Sequence, residues 1–164
     1  YCFASSVANC FKKKNLNIKL VFMSSDGVYP STKGNYKESD KLKPYNYYGL
    51  TKLEGEKIVK KLNDFIIIRT RFFDKNNIKF RYAATNIFTS SIEVNKLSLY
   101  IYKIIKKKFK GVINVGGKKV SDYKKYKKYK KNIKPCDKTV IFNSTNVKLA
   151  SDASLNLKKF NRLI

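Results

Sequence analysis

Ser25, Tyr48 and Lys52 are the residues of this 164-residue chain whose types and spacing could move a proton at an oxygen. Ser25 ends the apolar run VFMSS, and about two dozen residues later Tyr48 and Lys52 stand four apart in NYYGLTKLEGE. A Tyr phenol ionises near pH 10, too high for a base at neutral pH, and a neighbouring ammonium favours its phenolate. Positions i and i+4 share one helix face, so Lys52 can sit beside Tyr48. With Ser25 holding a substrate oxygen near the phenol, such a set protonates or deprotonates that oxygen while a hydride moves at the adjacent carbon.

Composition alone would produce this spacing. With 12 Tyr and about one residue in five a Lys, about two Tyr-x-x-x-Lys matches arise by chance. The chain holds five: Tyr29/Lys33, Tyr48/Lys52, Tyr102/Lys106, Tyr123/Lys127 and Tyr126/Lys130. Context separates one of them. Only Tyr48/Lys52 has Pro44 before it, Gly49 and Thr51 inside it, Leu53-Glu54-Gly55-Glu56 after it, and Ser24-Ser25-Asp26 upstream. The plain alternative makes Tyr48 a packing residue and Lys52 a solvated charge.

The elements that must position these residues alternate helix and strand. Residues 4–14 read as a helix, with Val7, Cys10 and Phe11 at helical spacing and lysines at its end. Residues 18–23 form a short apolar run of β-formers, and residues 24–43 a loop broken by Gly27, Pro30 and Gly34. Residues 45–62 read as a long helix with Glu54 and Glu56 early and Lys57, Lys60 and Lys61 late. A strand over 64–70 contains FIII, and a helix follows over 95–108. A third strand spans 111–115 and stops at Gly116-Gly117. Residues 121–131 read as a basic helix whose Tyr123, Tyr126 and Tyr129 stripe packs on the sheet, and beyond Asn132 the pattern thins out. The order implies an α/β fold with a largely parallel sheet.

Charge raises a rival class of function. The net charge of +26 is that of a polyanion binder, yet of 37 basic residues only Arg69, Arg71, Arg81 and Arg162 are Arg. Arg suits bidentate recognition of phosphate and bases, whereas Lys is a solvated point charge. The joint enrichment in Lys, Asn, Ile and Tyr is what AT-rich codon usage gives, so the charge reads as drift. It implies a weak, salt-sensitive affinity for nucleic acid and nothing more specific. KKYKKYKK from Lys124 interleaves aromatic and basic residues as single-stranded nucleic-acid platforms do, but reads better as a solvated helix. No run of about 18 apolar residues argues for a membrane span. Three Cys without C-x-x-C spacing and no His argue against zinc and disulfide frameworks and point to a cytoplasmic location. No G-x-G-x-x-G or Walker-type phosphate loop is present.

SSDGVY and NYYGLTKLEGE together resemble the extended short-chain dehydrogenase/reductase superfamily, most closely the reductases of 4-keto-deoxysugar nucleotides of the dTDP-4-dehydrorhamnose reductase type. The likeness continues weakly through IIIRTRFF, TNIFTSS, NVGGKKVSDY and ASDASLNLKKF. It implies a partial Rossmann-like, doubly wound parallel sheet in one incomplete domain over 1–164. In it 1–70 is the catalytic part, and 71–164 carries the remaining units and a small substrate-binding portion. It implies NADPH or NADH as cofactor, a nucleotide-linked sugar as substrate and a possible homodimer at full length. It further implies that Ser25, Tyr48 and Lys52 are catalytic, that Tyr48, Lys52 and Arg69 contact the cofactor, and that no metal is used. The chain starts with Tyr1, and the family's glycine-rich strand-turn-helix that binds the cofactor pyrophosphate is missing. The resemblance therefore reads as a C-terminal fragment, inactive alone, with Phe3 where the family often carries an Asn. Asp26 is followed by Gly27 rather than by the Glu of family dehydratases, and only two hydroxyl residues precede it where family epimerases tend to have three. Reductase therefore stands ahead of epimerase or dehydratase, with a non-catalytic polyanion-binding remnant as the alternative from another class.

Overall fold

The central strand of the sheet, β2 (Phe65–Thr70), is an uninterrupted apolar run, FIII, that ends in Arg69 and Thr70. It lies between β1 (Leu20–Ser25) and β7 (Gly111–Asn114), and both pair with it in parallel. A strand covered on both faces reads as continuous hydrophobicity, and Ile66, Ile67 and Ile68 are fully buried. The computed structural model describes Cys10, residues 18–145 and 149–164. Apart from Cys10, the expected helix over 4–14 and Phe3 lie outside the described residues.

One face of the sheet is covered by α1 (Tyr47–Val59), which begins where the Asn46 side chain accepts the Gly49 N–H at 2.8 Å. That cap starts the helix two residues later than its sequence pattern predicts. At the far end Lys61 and Leu62 bond back three residues, to Ile58 and Val59, so the expected last turn tightens instead of continuing. Gly55 lets α1 approach β1, since a Cβ there would stand 2.5 Å from the Phe22 ring. The other face is covered by α2 (Val94–Lys106) and α5 (Lys158–Leu163). Ile66, Ile68, Leu97, Ile104, Ile113 and Phe160 form the core there. Each such side chain contributes about 1.5–3 kcal/mol by leaving water.

The connections are minor strands. β3 (Phe72–Phe73) pairs with β6 (Ile92–Glu93), β4 (Tyr82–Ala84) with β9 (Lys134–Cys136), and β5 (Phe88–Thr89) with β8 (Val120–Ser121). A short helix, α4 (Lys138–Thr145), follows β9. Residues 151–156 then run as a strap: the carbonyl of Ser154 accepts the Tyr36 N–H, Phe88 exchanges backbone bonds with Ser151 and Ala153, and Asn156 N–H reaches the Tyr36 carbonyl. Within the strap Asp152 is 8% exposed, paired with Lys119, and accepts the Ser154 N–H at 2.9 Å.

The basic helix departs from expectation. α3 covers Asp122–Lys127 only, rather than 121–131. Lysines three and four apart repel along a helix. The chain turns instead, and the Lys127 ammonium donates to the Lys131 carbonyl at 2.6 Å. The Tyr stripe does not rest on the central sheet. Tyr126 meets Phe73 and Phe80 edge-on at 5.7 and 4.7 Å, and Tyr129 lies 5.6 Å from Phe73.

The expected α/β architecture with a largely parallel sheet is the one observed, with Ser25 at the carboxyl end of β1 and Thr70 beside it in register. Among the described residues no helix is long and apolar enough to cross a membrane. No cluster of metal-ligating side chains occurs among them either.

Candidate active site

The carboxyl ends of β1 and β2 and the first turns of α1 enclose a cleft of about 240 Å³ lined by Ser25, Asp26, Tyr48, Thr70, Arg71 and Phe72. Parallel α/β sheets place ligands outside the carboxyl ends of their strands, for the loops there are free to diverge. Residues Asp26–Val28 form a single 3-10 turn. Its backbone touches α1 so closely that a Cβ on Gly49 would stand 2.1 Å from the Gly27 carbonyl oxygen. That contact fixes how near Tyr48 lies to Ser25.

Ser25 and Tyr48 thus come together on one cleft, as expected from sequence. Lys52 follows one turn down α1. Its ammonium donates to the Met23 carbonyl at 3.1 Å and lies 5.6 Å from the centre of the Tyr48 ring. Tyr48 is 58% exposed. Partial burial, and then the charge of Asp26, raise the pKa of the phenol above its ordinary value, with Arg71 opposing. The protonated phenol is therefore the resting form, the form that donates.

Ser25 is more committed than its sequence position implies. Its Oγ accepts the Gly27 N–H at 3.0 Å and donates to Asp26 Oδ1 at 3.2 Å, so it caps the turn. Asp26 is 1% exposed and pairs with Arg71 Nε at 2.7 Å. Burial raises its pKa, while Arg71 and Ser25 counteract. Arg71 also donates to the Tyr45 hydroxyl at 3.0 Å.

Arg69 is placed differently from its expected contact with a cofactor. It is 1% exposed, and its guanidinium grips Glu56 bidentately, Nε to Oε1 at 2.9 Å and Nη2 to Oε2 at 2.7 Å. Nη1 donates to the Tyr29 hydroxyl at 2.8 Å and the Glu38 carbonyl at 3.1 Å. Ser24 donates to Glu56 at 2.6 Å, and Tyr29 donates to Asn114 at 3.0 Å. The network ties β1, α1, β2 and β7 together beneath the cleft. Such a buried pair is costly to break one partner at a time, about 3–5 kcal/mol.

Asp26, Thr70 and Arg71 are cleft residues that sequence reasoning passed over. SSD was visible in the sequence, but the Asp26–Arg71 pair spans two strand ends and no local pattern shows it. Lys125 was also misjudged, as part of a solvated helix. It is 4% exposed, donates to Asp122 and Ser91 at 2.7 Å each, and stands 4.1 Å over the Tyr126 ring. Burial lowers its pKa, with Asp122 opposing.

Residues 4–91 match the family model of the RmlD substrate binding domain. A hypothetical dTDP-4-dehydrorhamnose reductase from Sulfolobus tokodaii superposes with a TM-score of 0.80 at 27% identity, over 98% of this chain and 63% of that one. The dTDP-4-dehydrorhamnose reductase of Bacillus anthracis, solved with NADP, gives a TM-score of 0.77 at 22% identity, over 97% and 62%. Methionine adenosyltransferase 2 subunit beta from Bos taurus is 52% identical over 40 residues, 24% of this chain and 12% of that protein. The chain thus spans just under two thirds of the solved structures it resembles, and the shared fold is Rossmann-like.

Proposed function

Because the chain belongs to the RmlD substrate-binding-domain family, we propose that it forms the substrate side of an NAD(P)H-dependent reductase of 4-keto-deoxysugar nucleotides, with Tyr48 as the proton donor. The observation that carries this reading is the exposed Tyr48 phenol on a cleft shared with Ser25 and Asp26.

The residues fit the nicotinamide-ribose end of the cofactor. Lys52 uses one of its three donors on the Met23 carbonyl, which leaves two N–H groups for ribose hydroxyls beside Tyr48. When bound, NADPH or NADH supplies the hydride. Tyr48 gives its proton to the keto oxygen as that oxygen gains charge, Lys52 would hold the cofactor's ribose hydroxyls, and the Asp26–Arg71 pair keeps the turn under Ser25 rigid. Asp26 followed by Gly27 leaves the dehydratase Asp-Glu pair incomplete, which supports reduction over dehydration.

The test is Tyr48→Phe in the full-length protein, read as oxidation of NADPH or NADH with a 4-keto-6-deoxysugar nucleotide. Turnover falls about 10²–10⁴-fold, the usual worth of a positioned acid, while sugar-nucleotide affinity stays within about threefold. A variant that keeps wild-type turnover sinks the assignment of Tyr48. The second reading, a non-catalytic polyanion binder, draws on the +26 charge. It requires oligonucleotide binding that survives physiological salt.

A further inference from the structure

We propose that the cavity between β6, the loop after β7 and the end of α3 binds a small phosphorylated polyol of the sugar-phosphate class. The site is separate from the catalytic cleft. Phe72 lines that cleft and Phe73, the next residue of β3, lines this cavity, and no lining residue is common to the two. The inference therefore does not depend on the reductase reading.

The cavity holds about 300 Å³, the lower end of the range for small-molecule pockets. Gly116 lets the loop after β7 press against Ser90, for a Cβ there would stand 2.4 Å from the Ser90 carbonyl oxygen. Glu93, the residue before α2, is the unusual member of the lining. It is 8% exposed, and its Oε2 caps the helix by accepting the Lys96 N–H at 3.3 Å. Its Oε1 is buried without a hydrogen-bond partner. Capping needs one oxygen, which Ser, Thr or Asn would supply without stranding a second. A buried carboxyl oxygen left unpaired is unfavourable, and folded proteins keep few of them. The terminal torsion of Glu is broad and two-fold, so either oxygen can cap while the other meets a ligand donor.

Charge decides what kind of ligand brings that donor. Lys96, Lys118 and Lys128 are exposed, line the same cavity, and pair with no carboxylate among the described residues. The buried Lys125 adds a fourth amine to the wall, with its own donors on Asp122, Ser91 and Thr89. Such a set repels a metal cation or a ligand amine and attracts phosphate, for which Lys is a suitable point charge. The unpaired Glu93 oxygen selects against a bare anion, since it needs an O–H to accept. Phe73 and Tyr129, with ring centres 5.6 Å apart, offer aromatic surface to the C–H face of a ring. A hydroxylated ring that carries a phosphate meets all three demands.

Calorimetry on the full-length protein in about 0.15 M NaCl, where exposed charges are partly screened, tests the site. The probe is glucose 6-phosphate, with inorganic phosphate and glucose as its two halves. Glucose 6-phosphate binds about tenfold tighter, or more, than either half. Glu93→Gln keeps the shape and the capping oxygen but turns the free acceptor into an amide donor. It weakens glucose 6-phosphate about tenfold and leaves inorganic phosphate unchanged. Lys118→Gln combined with Lys128→Gln, both on the surface, weakens both anions about tenfold, and Tyr48→Phe weakens neither. Thermal melting checks that Glu93→Gln folds; if it does not, the surface pair decides alone. Wild-type affinity in the lysine pair or in a folded Glu93→Gln overturns the site. So does a wild-type protein that binds no glucose 6-phosphate, or binds it no tighter than inorganic phosphate. Loss of binding in Tyr48→Phe assigns the probe to the catalytic cleft and overturns it too. None of these results bears on reduction at that cleft, so the two readings fail separately.

Discussion

Asp152 shows how a single carboxylate can carry pH dependence in a chain dominated by lysine. Its pKa lies below the ordinary carboxylate value although burial pushes it up, because Lys119 and the Ser154 hydroxyl and N–H hold its charged form. A carboxyl that is more acidic folded than unfolded adds stability at pH values above its unfolded pKa, near 4. That contribution is lost as pH falls through the lower, folded value. Asp152→Asn should therefore lower the melting temperature at pH 7 and flatten its fall between about pH 5 and pH 2. Identical acid limbs in the two proteins would show that Lys119 and Ser154 do not hold the charge. Asp26 is the opposite case: burial raises its pKa, and the paired Arg71 opposes that rise.

At the scale of elements, α1 and the first turn after β1 act as one unit, since Gly27 and Gly49 touch through their backbones. Gly49→Ala gains about 1 kcal/mol of helix propensity. It also drives a Cβ to 2.1 Å from the Gly27 carbonyl oxygen, and backbone must move on one side. Overpacking of this kind costs roughly 1–3 kcal/mol. Denaturant titration should find the variant less stable, with sugar-nucleotide affinity reduced alongside as Tyr48 shifts from Ser25; a more stable variant would refute the close contact. The elements themselves were legible where hydrophobicity runs unbroken. VFMSS and FIIIRT became β1 and β2, and NYYGLTKLEGE became α1, with errors of a few residues at caps and turns. The Ser25–Tyr48 juxtaposition was legible for the same reason. Arg69 was not, because its partner Glu56 sits on a different element, 13 residues back, and spacing says nothing about which helix covers which strand. KKYKKYKK misled because helical periodicity took no account of like charges crowded on one short segment.

For the whole molecule, +26 charges on 164 residues make self-repulsion a general term opposing the folded state. Salt screens it, with a screening length near 10 Å at 0.1 M. Raising NaCl from about 0.05 to 0.5 M should increase the melting temperature by several degrees. The same change should abolish oligonucleotide binding, because exposed lysines give affinity only through counterion release. A melting temperature that falls with salt would mean that exposed ion pairs outweigh the repulsion. The Glu56–Arg69 grip has a consequence for how such a chain can change. Either residue replaced alone strands a buried charge, so the two are epistatic: single steps are penalised while a paired, apolar replacement can be neutral. Lys at position 69 would supply one ammonium where two parallel bonds are made, which is not an equivalent substitution. A change to lysine therefore meets a barrier at this position, set by the two parallel bonds to the Glu56 carboxylate.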